Sequence, residues 1–185
     1  KFYPYYNDNL PPKKNDQLSI AMVVALIGFL LVLVAGLIFK GIVVKKYVTN
    51  APGIVTHYHW IFVLGFGLLV YTILEAYAWQ LHKSVFTNFL REVMWRLFTT
   101  ALITMFSFGI IRNFDDFIRV FSFSYPFIAL ILLLYLFFSG KLHFTGIISK
   151  VTRRFSGSIF KLCLFVYSGS LIFTVSLVFD SLVIT

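Results

Sequence analysis

Five long apolar runs, separated by short polar connections, constrain the fold of this 185-residue chain more than any other feature. They are Ser19–Phe39, Trp60–Trp79, Val93–Ile111, Val120–Ser139 and Ile159–Val183. A helix needs about 20 predominantly apolar residues to cross a bilayer. Only 12% of the residues are charged, whereas soluble domains carry about 25%. The sequence therefore predicts an all-α integral membrane protein that folds as a bundle of five transmembrane helices.

The polar connections set the domain boundaries. With the polar ends of each run included, the spans are expected at 19–44, 55–82, 87–112, 117–140 and 156–183, in one transmembrane domain over 19–185 with short loops. Residues 1–18 precede the first run and contain Pro4, Pro11 and Pro12, and proline disfavours a helix interior. We therefore predict an extended N-terminal arm over 1–18.

Basic residues between the runs predict the orientation of the chain in the membrane. With five spans, the N-terminal arm and the 80–92 and 140–158 regions share one side. Together with Arg96 and Lys161 at the adjoining span ends, this side collects 11 of the 16 Lys and Arg residues. Loops rich in Lys and Arg face the cytoplasm. The N-terminus is therefore expected on the cytoplasmic side.

Two groups of residues outside the spans are candidates for contact with lipid or with a partner. Lys150, Arg153 and Arg154 form a basic loop beside the last span, which suits anionic lipid or an acidic protein surface. The aromatic residues of the arm, Tyr3, Tyr5 and Tyr6, suit a headgroup surface or a partner protein. Because the basic residues of the chain lie between apolar runs as loop charges do, its net charge of +9 does not indicate nucleic-acid binding.

The second span carries a stripe of polar residues on one helical face. At 100° per residue, His57 and Glu75 are separated by five whole turns, and Tyr71 lies one turn before Glu75. His82 falls within about 20° of the same line. A carboxylate this far inside a span must face a partner group or a cavity, so this stripe is the main candidate site.

Hairpin geometry suggests a partner for Glu75. If the turn between the second and third spans is centred near residue 85 or 86, Glu75 and Arg96 lie at the same depth on adjacent helices. We therefore predict a Glu75–Arg96 ion pair. Such a pair either locks two helices together, or it forms a proton or quinone site with Tyr71 and His82, since intramembrane ionisable groups often mark such paths.

Histidine spacing restricts cofactor binding. A haem held by two histidines needs imidazoles that face each other at one depth. His57 and His59 point about 200° apart on one helix, which leaves His82 and His143 as the only admissible haem pair, near the membrane surface. No spacing typical of a metal site occurs, and no cofactor is indicated beyond quinone or haem.

Several classes of function are compatible with these features. No nucleophile and base, phosphate-binding loop or pair of catalytic carboxylates occurs, which argues against catalytic activity of the chain alone. The leading hypothesis is a non-catalytic subunit of a larger membrane complex, such as a respiratory or other energy-converting assembly, that packs against other integral-membrane subunits and membrane lipids. Alternatives are a quinone- or proton-handling subunit that uses Glu75, Arg96 and His82, a small channel or transporter, and a cytochrome b-type haem subunit.

Overall fold

A computed structural model describes residues 2–11, 14–47 and 52–183. These residues form helices and connections without a β-strand, which confirms the all-α prediction for the described part of the chain. The helices are α1 Tyr3–Asn9, α2 Gln17–Ile38, α3 Lys40–Tyr47, α4 Pro52–Thr56, α5 Tyr58–Gln80, α6 Ser84–Phe89, α7 Trp95–Ser107, α8 Phe114–Ser122, α9 Ser124–Phe138 and α10 Lys150–Val183, with a π-helical turn, Leu90–Met94, between α6 and α7.

The chain divides into two compact units. One comprises residues 1–16 and 145–185 and contains α1 and α10, whereas the other comprises Gln17–Phe144 and contains α2 to α9. The two ends of the sequence therefore belong to one unit, and the first four predicted spans belong to the other.

Three helical segments in the described part of the chain are long and apolar enough to cross a membrane. They are Gln17–Ile38, Tyr58–Gln80 and Phe114–Phe138, which joins α8 and α9. They coincide with the first, second and fourth predicted spans and are compatible with a membrane location. The third predicted span is helical over 84–107, but Arg91, Glu92 and Arg96 occupy its first half and α7 alone has only 13 residues.

The core of the larger unit lies where α5 packs against α9. Its buried members are Tyr71, Leu74 and Ala78 on α5, Leu90 in the π-helical turn, and Ile128, Ala129, Leu132 and Leu136 on α9. The two helices approach most closely where Gly67 faces Pro126, since a Cβ atom at Gly67 would overlap the ring and backbone nitrogen of Pro126. This packing buries the middle and the end of α5, where Glu75 lies.

Ring pairs show how the neighbouring helices run. Phe86 stacks on Tyr135, and Phe98 stacks on Phe127, so the 84–107 helical run lies antiparallel beside α9. Phe29 on α2 contacts Phe66 on α5, and Tyr58 at the start of α5 donates a hydrogen bond to the carbonyl of Gly36 near the end of α2. α2 and α5 are therefore also antiparallel.

The prediction of an extended N-terminal arm is wrong for residues 3–9, because these residues form α1. Pro4 lies in the first turn of this helix, where the missing N–H costs nothing and the fixed φ angle of proline suits helical geometry. Pro11 follows the helix, as a residue that cannot continue it. Lys1, Pro12 and Lys13 of the predicted arm lie outside the described residues.

Candidate functional site

Glu75 forms an ion pair with Arg91 in the interior of the larger unit. The Glu75 side chain is only 9% exposed, and its Oε1 atom lies 3.1 Å from Nη1 of Arg91. The N–H of Arg91 is not aligned on this oxygen, which accepts no hydrogen bond from the described residues. The contact is therefore electrostatic attraction at short range, and Oε1 retains hydrogen-bonding capacity.

The predicted Glu75–Arg96 pair is wrong. Arg96 instead lies 2.8 Å from Glu92, one helical turn earlier on its own helix. The error comes from the turn, because α5 ends at Gln80 and α6 begins at Ser84, about three residues earlier than the predicted turn centre. Each residue by which a hairpin turn moves shifts the opposite partner by two, so the position level with Glu75 moves from Arg96 towards Arg91.

Glu75, Arg91, Glu92 and Arg96 form a continuous row of ion pairs that runs from the interior of the larger unit to its surface. Arg91 contacts both Glu75 and Glu92, and Glu92 also contacts Arg96. The exposed fraction rises from 9% at Glu75 through 41% at Arg91 and 50% at Glu92 to 71% at Arg96. The four charges sum to zero. Arg91 and Glu92 lie in the π-helical turn, a rare geometry that occurs frequently at functional sites.

Hydrogen bonds around Thr87 hold the polar face of α5 against α6. The hydroxyl of Tyr71 donates to the Thr87 carbonyl at 2.7 Å, and the Trp79 indole N–H donates to the Thr87 hydroxyl at 2.8 Å. That hydroxyl in turn donates to the Ser84 carbonyl. Because Thr87 is fully buried, these bonds fix the angle at which α6 leads into the π-helical turn and thus the position of Arg91.

A second unpaired polar group lies one layer from the ion pair. The buried Nε1 of Trp95 donates no hydrogen bond within the described residues. The Trp95 ring centre is 5.7 Å from that of Tyr125, which is itself 6.4 Å from that of Tyr71. A buried polar atom without a partner needs an explanation, such as a functional role or a bound water or ion. Here Trp95 offers one donor and Glu75 one acceptor.

His57 and His82, the two ends of the predicted polar stripe, do not belong to the group of ion-paired residues around Glu75. His82 lies beyond the end of α5, exposed in the turn and with a φ angle of 59° that no helical residue has. At the opposite end, His57 bonds to Asp115 at 2.9 Å and to the Gly53 carbonyl at 2.9 Å, which ties the starts of α5 and α8 together. The structure therefore keeps Tyr71 and Glu75 together and separates both histidines from them.

The candidate haem pair does not lie on facing helices. His82 is in the 81–83 turn and His143 is in the non-helical segment after α9, so neither belongs to a helix that could present it to a buried ring. The described residues contain no group of three or more His, Cys, Asp or Glu side chains that could hold a metal ion.

The smaller unit brings the aromatic residues of the N-terminus to the basic start of α10. Phe155 contacts the rings of both Phe2 and Tyr5, and the Arg154 guanidinium lies 5.8 Å from the Phe155 ring centre. Lys150, Arg153, Arg154 and Tyr5 are exposed, and Tyr3 is partly buried. Tyr6 does not belong to this surface, because its side chain is 2% exposed and its hydroxyl bonds to that of Thr152.

Sequence reasoning missed Asp16, which anchors this unit. Its buried Oδ2 atom accepts hydrogen bonds from the Ser149 backbone N–H at 2.7 Å and the Thr152 hydroxyl at 2.8 Å. Ser149 precedes α10, so the carboxylate satisfies an N–H at the start of that helix, where negative charge is favourable. No spacing rule could indicate this contact, since the partners are more than 130 residues apart in the chain.

The chain matches no known protein-family model, and no curated protein or solved structure shows significant similarity to it.

Proposed function

We propose that this chain is a non-catalytic, multi-pass subunit of a larger membrane complex, held between other integral-membrane subunits and lipid. The observation that carries the proposal is the exposed Arg96, because a charge at that position needs a polar partner outside the described contacts of its own helix.

The position of Arg96 along its helix indicates that its charge lies at membrane depth, where it needs a polar partner. The 84–107 helical run lies beside α9, which is part of a segment long enough to span a membrane. Arg96 is 13 residues past Lys83 along this run, or about 20 Å at 1.5 Å per residue. Its side chain is 71% exposed although it contacts Glu92. Charged side chains at membrane depth face protein or water rather than lipid, which supports a partner subunit on this face.

The exposed apolar surface supports the same proposal. None of the most apolar window of α2 is buried, and its side chains include Leu31 at 67% and Ile38 at 71% exposure. On the 84–107 run, Leu97 and Ile103 are each 59% exposed. Surface of this extent requires lipid or protein around it.

Site-specific photocrosslinking tests the proposal. A photoreactive amino acid at Val93 or Thr100, which flank Arg96 on the same helical face, should give a discrete adduct with a second polypeptide in native membranes. The same probe at Ile27 on the exposed face of α2 serves as the matched control and should give mainly lipid adducts. Lipid adducts alone at Val93 and Thr100, with the chain migrating as a monomer in mild detergent, would contradict the proposal.

The proposed topology has five spans with the N-terminus in the cytoplasm. In a Cys163→Ser background, a single cysteine at Asn113 should react with an impermeant maleimide from outside the cell. A cysteine at Lys83 should react only after permeabilisation. The reverse labelling pattern would overturn this orientation.

A second candidate function is proton or quinone handling at Glu75. It is favoured by the Glu75 Oε1 atom and the Trp95 N–H, neither of which has a hydrogen-bond partner among the described residues, so that they offer one acceptor and one donor to a water or a quinone. Glu75→Gln should then abolish the activity of the assembled complex without reducing its assembly. If this variant instead fails to assemble and Arg91→Gln fails in the same way, the pair is structural and this candidate is rejected.

A further inference from the structure

A groove between α2 and α5 lies apart from the ion-paired residues Glu75, Arg91, Glu92 and Arg96. Its volume is about 240 Å³, and its walls include Leu18 and Ala21 on α2 and Ile73, Ala76, Tyr77 and Gln80 on α5. Pockets for drug-sized ligands have volumes of about 300–1,000 Å³. The groove therefore suits one slender chain rather than a ring system or a two-chain lipid.

One end of this groove is polar. Gln80 ends α5 and Leu18 lies in the first turn of α2, and these antiparallel helices bring both residues to the same end of the unit. The buried Oε1 of Gln80 accepts no hydrogen bond within the described part of the chain. The wall hydroxyls are engaged, since Thr72 donates to the Leu68 carbonyl and Tyr77 to the Lys141 carbonyl.

The residues that line the groove restrict the charge of a ligand that could bind there. Among the described residues, no Lys, Arg, Asp or Glu lines the groove, so a carboxylate or phosphate head would lie there without a counter-charge. Both walls belong to helices long enough to span a membrane, so we expect the groove to open towards hydrocarbon in a bilayer. An unmet amide acceptor at the polar end requires a hydroxyl or N–H donor on the ligand.

From this geometry we infer a binding site for a neutral single-chain lipid with a hydroxylated head, the chemistry of a monoacylglycerol. The acyl chain lies along Ala21, Ile73 and Ala76, and a head-group hydroxyl donates its hydrogen bond to Oε1 of Gln80. The site does not depend on the proposed partner subunit, since both walls belong to this chain.

A photoactivatable monoacylglycerol tests this site. The probe carries a diazirine on its acyl chain and is added to the full chain in phosphatidylcholine nanodiscs, and labelled peptides are mapped by mass spectrometry. Labelling should concentrate on the segments around Ala21 and Ala76. Ala76→Trp fills the groove and should abolish this labelling, whereas Ala101→Trp, an exposed alanine on α7, should leave it unchanged.

The role of Gln80 is tested with a second probe whose head-group hydroxyls are capped as methyl ethers. The wild-type chain should prefer the hydroxylated probe about fivefold, the net contribution of one hydrogen bond, and Gln80→Leu should label equally with both. Helical circular dichroism confirms that each variant folds. Uniform labelling of exposed helix faces, or labelling that Ala76→Trp does not change, would show annular lipid only and overturn the inference.

Discussion

Arg91 and Glu75 face each other across a three-residue turn, with Nη1 and Oε1 3.1 Å apart. The carboxylate is almost fully enclosed, while the guanidinium is partly open and extends to Glu92. The asymmetry matters because a buried carboxylate depends on its partner more than the partner depends on it. Through its further contact with Glu92, Arg91 also connects the buried Glu75 to the exposed Arg96.

This asymmetry predicts unequal effects of removing the two arginines. Arg91→Met leaves Glu75 buried and uncompensated and should lower the free energy of unfolding by about 1–3 kcal/mol. Arg96→Met leaves Glu92 in contact with Arg91 and should cost only about 0–1 kcal/mol. Unfolding of the purified chain in mixed micelles measures both values.

A double-mutant cycle separates the ion pair from general damage. Because Glu75→Gln removes the buried charge, the Glu75→Gln/Arg91→Met variant should recover most of the stability lost in Arg91→Met. Additive losses from the two substitutions would contradict an energetic link between Arg91 and Glu75.

Two glycines on α5 should respond in opposite ways to alanine. A Cβ atom at position 67 would overlap Pro126, so Gly67→Ala must separate α5 from α9 and should cost about 1–3 kcal/mol. No atom of the described residues lies within 4 Å of a Cβ atom at position 65, and Gly65→Ala should stabilise the helix by about 0.5–1 kcal/mol. Thermal unfolding followed by circular dichroism distinguishes them, and equal shifts would argue against the close packing at Gly67.

His82 occupies a backbone conformation that favours glycine. Its φ angle is 59°, and the Lys83 N–H bonds back to the Ala78 carbonyl as in a helix C-terminal cap. His82→Gly should therefore stabilise the chain by up to about 1 kcal/mol. Lys83→Gly is the matched control, because the φ angle of −106° at Lys83 gives glycine no advantage. Destabilisation by His82→Gly would indicate that the imidazole makes a contact that matters.

The contact of Tyr6 with Thr152 should loosen in alkaline solution. Burial raises the pKa of the Tyr6 phenol above its usual value of 10.0, and the nearby Asp16 carboxylate raises it further, while the hydrogen bond with Thr152 acts in the opposite direction. The folded state therefore favours the neutral phenol. Its stabilising effect is complete below pH 10 and is lost as the pH rises through the raised pKa.

A fluorophore on the exposed Asn7 reports this change through its anisotropy. In the wild-type chain the anisotropy should fall above pH 10 as α1 gains mobility. Tyr6→Phe removes the titrating group and should keep a constant anisotropy over the same range. A fall of equal size in both would assign the transition to another group.

Sequence reasoning succeeded where the information is local. Apolar run length identified α2, α5 and the α8–α9 segment as span-length helices, and helical periodicity placed Tyr71 and Glu75 on one face. Sequence reasoning failed to identify the ion-pair partner of Glu75, which is distant in the chain. The reason is that α5 ends at a left-handed residue, His82, and side-chain propensity does not favour that conformation. A turn placed three residues late was enough to assign Arg96 in place of Arg91.

The sequence by itself determined that this chain is helical, that its long apolar runs suit a membrane, and that an acid must be buried in one of them. It predicted five such spans, and three segments of the described structure are long and apolar enough to cross a membrane. Only the tertiary structure decided which cation meets that acid, that Asp16 closes the start of α10, and that Tyr6 is buried rather than exposed. The physical reason is that hydrophobic run length and helical period act between near neighbours in the chain. Ion pairs and hydrogen bonds instead depend on how the turns bring distant residues together.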